Sequence, residues 1–191
     1  MRALRHGERL VQPWERPSRR GTASSCQDVT MATERLEVQR KMAADPSTIF
    51  RVLCDPRGHV AIDSSGMLMA ATGDPVTASG DSFVVHMDRE ALNDYPMGEY
   101  DVTVTITTFV PDREIAWTIL GVIRPPLGHV YGYSLTPIED GTLVTSYYDW
   151  SSVDPALKEA GIFPVISEGA LRATLGILAR TVAHGGLGPQ G

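Results

Sequence analysis

Cysteine is scarce: the 191 residues hold two, Cys26 and Cys54. Two thiols leave no disulfide framework to build on, which points to a reducing compartment and an expected cytoplasmic location. The five histidines, His6, His59, His86, His129 and His184, fall on separate segments with none of the close spacing of a zinc site, so no metal is expected. No window approaches the run of about 18 apolar residues that a membrane-spanning helix requires. Neither cysteine sits in a nucleophile motif, and Gly-x-Ser-x-Gly and the phosphate-binding glycine loop are both missing. No cofactor is expected.

Basic charge is also in short supply, with 17 Lys+Arg against 23 Asp+Glu and a net charge of −6. Its distribution is uneven. Residues 1–30 carry six arginines (Arg2, Arg5, Arg9, Arg16, Arg19, Arg20) against Glu8, Glu15 and Asp28, which is +3, so the other 161 residues carry −9. An acidic body repels phosphates, and its one tight basic group, Arg35, Arg40 and Lys41, lies on a predicted strand whose wet face accounts for it; nucleic acid is not an expected partner. The basic leader lacks the apolar stretch that an export signal needs after Arg19-Arg20 or before Cys26, and its acids are out of place in a transit peptide. It is expected to be a disordered extension, or sequence upstream of a true start at Met31. The expected organisation is a leader over 1–30, one domain over 31–186 and a flexible tail over 187–191.

The body, at 42% hydrophobic and 21% charged for the whole chain, has the composition of an ordinary globular domain with one core. Leu36, Val38 and Arg40 alternate with Glu37, Gln39 and Lys41, a strand period. Asp45-Pro46 opens a short helix carrying Ile49, Phe50, Leu53 and Cys54, with Asp45 expected to cap the first turn. Asp55-Pro56 ends that helix and opens another through His59 to Ile62. From Gly66 onward the period is 2 with regular turns, predicting antiparallel strands at Met67–Thr72, Ser82–Asp88, Tyr100–Phe109, Glu114–Ile119, His129–Thr136 and Thr142–Trp150. Asp154-Pro155 marks a brief turn. Ser167-Glu168 then opens a long helix with Leu171, Leu175, Leu178 and Val182 on one face. The predicted class is α+β: an antiparallel sheet of about six to seven strands and a long carboxy-terminal helix that buries its stripe on it, with two short helices after the first strand.

This order resembles the SRPBCC superfamily of polyketide cyclase/dehydrase and lipid-transport proteins (START-like, helix-grip), in an actinobacterial style. The resemblance spans about Leu36 to His184. It is carried by the segment Asp45-Pro46 to Asp55-Pro56, by Tyr100 to Pro111 leading to Arg113-Glu-Ile-Ala-Trp117, by Gly128-His-Val-Tyr-Gly-Tyr133 to Pro137, and by Gly141-Thr-Leu-Val-Thr to Tyr148-Asp-Trp150. It implies a curved sheet gripping the last helix around a mostly apolar cavity. One departure stands out: members often have a Trp a few residues after the His matching His59, where this chain has Val60-Ala61-Ile62-Asp63.

If the dry faces line such a cavity, its wall comprises Phe83, Val85, Tyr100, Val102, Val104, Trp117, Tyr131, Tyr133, Ser146, Tyr148 and Trp150, closed by Leu171, Leu175 and Leu178. Apolar walls with a few hydroxyls suit a hydrophobic small molecule such as a lipid or polyketide-like ring system; the alternative is that these side chains simply fill the core. For catalysis the candidates are Asp63, at the end of the second short helix, and the phenols of Tyr131 and Tyr133, a set that suits proton abstraction next to a carbonyl. His86 and His129, on strands, are expected to point outward or to be satisfied locally, and Asp149 to be a loop or surface carboxylate. Binding or carriage of a hydrophobic molecule is thus the first expectation, a cyclase- or dehydratase-like enzyme the second, and a protein-interaction module the third.

Overall fold

The computed structural model describes residues 33–90, 96–121, 124 and 126–187; the leader and the last four residues of the predicted tail lie outside them. The chain forms β1 (Arg35–Met42), α1 (Pro46–Cys54), α2 (Pro56–Ala61), β2 (Leu68–Thr72), β3 (Ser82–Asp88), β4 (Glu99–Val110), β5 (Glu114–Leu120), β6 (Val130–Ile138), β7 (Gly141–Asp149), α3 (Pro155–Glu159) and α4 (Glu168–Ala183). All seven strands join one antiparallel sheet in the order β1-β7-β6-β5-β4-β3-β2. The two short helices fill the crossover that carries the chain from one edge of the sheet to the other.

Each boundary has a local cause. Proline occupies the first turn of α1, α2 and α3, where a missing amide hydrogen costs nothing. Asp55 and Asp154 cap through their side chains, accepting from the backbone N–H of Arg57 and Ala156, and Ser167 accepts from Ala170. Asp45 departs from the expectation: its side chain makes no capping bond, and its backbone carbonyl accepts from Thr48 and Ile49 instead. The β4–β5 turn places Asp112 at φ 57°, a left-handed conformation that a short polar side chain tolerates. The β6–β7 turn needs Gly141 at φ 128°, where a Cβ would come within 2.1 Å of the Met42 carbonyl oxygen.

Strand phase decides which residues face inward. Val102, Val104 and Ile106 point to the core, and a bulge between Ile106 and Thr108 then shifts the phase of β4. Phe109 consequently comes round to the core side, opposite Ile115, with its ring centroid 5.3 Å from that of Phe50 on α1. On β6 and β7 the inner residues are Tyr131, Tyr133 and Leu135, paired with Tyr148, Ser146 and Val144. On the outer face Tyr147 lies across Gly132, donating to Glu114 Oε1 at 3.0 Å, with the Arg35 guanidinium 4.0 Å from its ring centroid.

Helix α4 buries the predicted stripe Leu171, Leu175, Leu178 and Val182. It packs chiefly along the edge strand β1, with lesser contacts to α1, α2 and β7. Leu178 is completely buried, so Leu178→Ala is expected to cost about 3 kcal/mol. A urea titration checks this; an unchanged midpoint would show that α4 does not hold the core.

Candidate functional site

The inner face of the sheet is wider than one helix can cover. Because α4 follows β1, strands β3 to β6 are left under its first turns, and a cavity of about 370 Å³ opens there. Its floor is Val85, Val102, Val104, Trp117, Tyr131 and Tyr133; Ala170, Leu171 and Thr174 of α4 form the roof; residues 62–68 and 165–167 form the sides.

Of the residues singled out from sequence, Val85, Val102, Val104, Trp117, Tyr131, Tyr133, Ser146 and Leu171 line this space, as does Asp63. The others lie outside its lining. Phe83 is covered by α2, its ring 4.8 Å from that of His59. Tyr148 and Trp150 stack on each other at 5.2 Å beyond the cavity, Leu175 and Leu178 are sealed into the core, and Tyr100 is partly buried against it. Met87 and Ile119 also line the cavity and share the phase of Val85 and Trp117, so continuing the period along each strand would have found them. His59 and Ile62 line it as well, and a six-residue helix offers no periodicity from which to read their direction.

The polar lining groups differ in burial. Asp63, Ser64, Ser65, Arg89 and Thr174 are half-buried, whereas His59, Tyr133 and Ser146 are buried. Asp63 is engaged by its own loop: Oδ1 accepts from the Ser65 amide at 2.9 Å and the Ser65 hydroxyl at 2.7 Å, and Oδ2 from the Leu68 amide at 3.2 Å. Burial pushes the Tyr133 phenol up to about 12, opposed by a hydrogen bond with Ser146. Tyr131 is likewise raised by burial and by neighbouring Tyr148. Both phenols therefore remain protonated near neutrality. Burial likewise holds the Cys54 thiol up at about 12, far from a reactive thiolate.

The histidines divide between the two faces. On the outer face His86 Nδ1 meets Asp101 Oδ1 at 2.7 Å and Nε2 meets Thr72 Oγ1 at 2.9 Å, a satisfied cross-strand cluster turned away from the cavity. His129 does not point outward: it is buried, with Nδ1 2.9 Å from the Tyr148 hydroxyl and Phe163 edge-on to its ring. Asp149 does not lie in a loop: it is the last residue of β7, partly buried, and its carboxylate accepts from Ser151 and pairs with Arg35. Among the described residues, no three His, Cys, Asp or Glu side chains gather as metal ligands, and no helix is long and apolar enough to cross a membrane.

Comparison with known proteins places the architecture. No protein-family model matches the chain, and no curated protein matches it in sequence. Solved structures do match in shape. An AHSA1-like protein from Aeromonas hydrophila superposes with a TM-score of 0.52 at 17% identity, covering 82% of this chain and 97% of that one. The Aha1 dimer from Colwellia psychrerythraea gives 0.51 at 15% identity, covering 78% and 95%. A protein from Rhodobacter sphaeroides gives 0.58 at 18% identity, covering 79% and 93%. The chain has the helix-grip fold. AHSA1-like proteins belong to the SRPBCC superfamily that shares it, and at these identities the likeness speaks for the helix-grip architecture alone.

Two buried imidazoles in this helix-grip domain give a pH signature. Burial lowers both His59 and His129 from 6.5 to about 4. The unfolded chain therefore takes up two more protons than the folded one between those values, and stability falls as pH drops from 6.5 toward 4. The expected slope is about 1.4 kcal/mol per pH unit for each histidine, checked by urea titrations across that window. His129→Gln should halve the slope, and a flat profile in the parent protein would contradict the assignment.

Proposed function

We propose that this protein binds and carries a hydrophobic small molecule, lipid-like or polyketide-like, between the sheet and α4. The observation that carries this reading is the cavity itself. About 370 Å³ lies over a floor of aliphatic and aromatic side chains, within the size range and character of small-molecule sites. The floor aromatics are ordered by one another: Trp117 stacks against Tyr131 at 6.3 Å and Tyr133 at 5.9 Å. A preformed apolar floor favours a ligand whose own apolar surface replaces water there.

A cyclase- or dehydratase-like reaction would draw its base from Asp63, Tyr131 or Tyr133. Asp63 is bound by three donors of its own loop, and burial keeps both phenols protonated. Carriage needs neither group to move a proton, and we therefore favour it over turnover.

Ala170 is half-buried on α4 and lines the cavity, so Ala170→Trp fills the roof from a position that tolerates a larger side chain. The variant is expected to weaken binding of a fluorescent apolar probe by tenfold or more. Ala173→Trp, on the exposed side of the same helix, should leave binding unchanged. Probe binding unaffected by Ala170→Trp would remove the cavity as the site, and no binding of any apolar probe would remove the function.

A further inference from the structure

His59 is held by its surroundings in a single state. Its ring lies edge-on between two aromatics, with centroids 4.8 Å from Phe83 and 4.7 Å from Trp117. Nε2 is 3.0 Å from the Leu53 carbonyl oxygen at the end of α1. A carbonyl only accepts, so Nε2 carries the hydrogen and donates it. Burial lowers the imidazole to about 4, against a smaller opposing effect of the Leu53 bond and of Asp55, and the ring is neutral near pH 7. Nδ1 is left as a bare lone pair.

That lone pair has no protein partner among the described residues. His59 is 7% exposed, yet among the described residues no side-chain nitrogen or oxygen sealed from solvent goes unpaired. Both statements hold because Nδ1 opens on the cavity that His59 lines. A buried acceptor facing an apolar space without a partner is costly, and it awaits a donor. The remaining contacts of the ring hold it in place: rotation would sacrifice the Leu53 bond.

We propose that the cavity selects a neutral hydrophobic molecule bearing a hydroxyl, whose O–H donates to His59 Nδ1. This rests on the hydrophobic-cavity reading and narrows it. A hydrocarbon leaves the lone pair unsatisfied. An ether or ketone brings a second acceptor against it, and a carboxylate brings a full negative charge. An alcohol or phenol supplies the one group that is missing. Nothing is transferred; the hydroxyl proton stays on the ligand.

The test compares 2-naphthol with 2-methoxynaphthalene, which keeps the ring and the oxygen but has no proton to donate, and with 2-naphthoate, all at pH 7 by calorimetry on the full chain. The expected result is that naphthol binds at least about fivefold more tightly than either, the increment of one buried neutral hydrogen bond. In His59→Phe the preference for naphthol over the ether is expected to disappear while both still bind. Because that variant also removes the bond to Leu53, the nitrogen-15 resonance of Nδ1 in the unaltered protein provides a second readout. It should shift on addition of naphthol and stay in place with the ether. Equal binding of naphthol and ether, tighter binding of the naphthoate, or a naphthol complex with an unmoved Nδ1 resonance would each overturn the proposal while leaving a hydrophobic site in place. Binding of none of the three would instead remove the hydrophobic-cavity reading on which it stands.

Discussion

The last helix meets the sheet along one side only. A seven-stranded sheet presents an inner face several strands wide, and a helix with side chains is about 10–12 Å across. The stripe Leu175, Leu178 and Val182 holds the later turns of α4 in the core near β1 and α1, while its first turns, with Ala170, Leu171 and Thr174, pass over strands they do not fill. The cavity is the space left by that mismatch. The loops at 62–68 and 165–167 close its sides, and Tyr131, Tyr133 and Trp117 thicken its floor.

The polar groups within this space are few and each has a defined state. Ser146 lies beside Tyr133 and opposes the effect of burial on its phenol. Tyr148 is tied to His129 outside the lining. Asp63 organises the loop that walls the cavity, its two oxygens shared among three donors of that loop. Among the described residues, His59 is buried and lines the cavity with its Nδ1 acceptor unpartnered. An apolar pocket of this kind acquires specificity from a single fixed polar group, because each ligand is judged by whether it repairs that one deficit.

Much of this architecture was legible in the chain. Alternation in β4 to β7 and the i, i+4, i+7, i+11 spacing of Leu171, Leu175, Leu178 and Val182 predict the sheet and its helix, since burial on one face leaves a direct mark on sequence. The cavity left a weaker mark. Phe83 and Val85 share a face of β3, and only the position of α2 over Phe83 separates a packed residue from a lining one. The phase change at Thr107, which returns Phe109 to the core, follows from a bulge that the run of threonines does not announce. His59 was the hardest to read: its direction depends on how a six-residue helix sits between β3 and β5, a tertiary fact without local periodicity. His129 was similarly hidden, lying just before the first residue of β6, where strand alternation no longer fixes the side chain.

The central claim is that a ligand resides over the floor made by β3, β4 and β5, beneath the first turns of α4. The most direct measurement is the set of intermolecular nuclear Overhauser contacts between methyl-labelled protein and an unlabelled bound hydrophobe. The account predicts contacts from Val85, Val102, Val104 and Leu171. Contacts confined to Val60, Ala70, Ala71 and Leu187, which line a separate groove between α2 and β2, would contradict it.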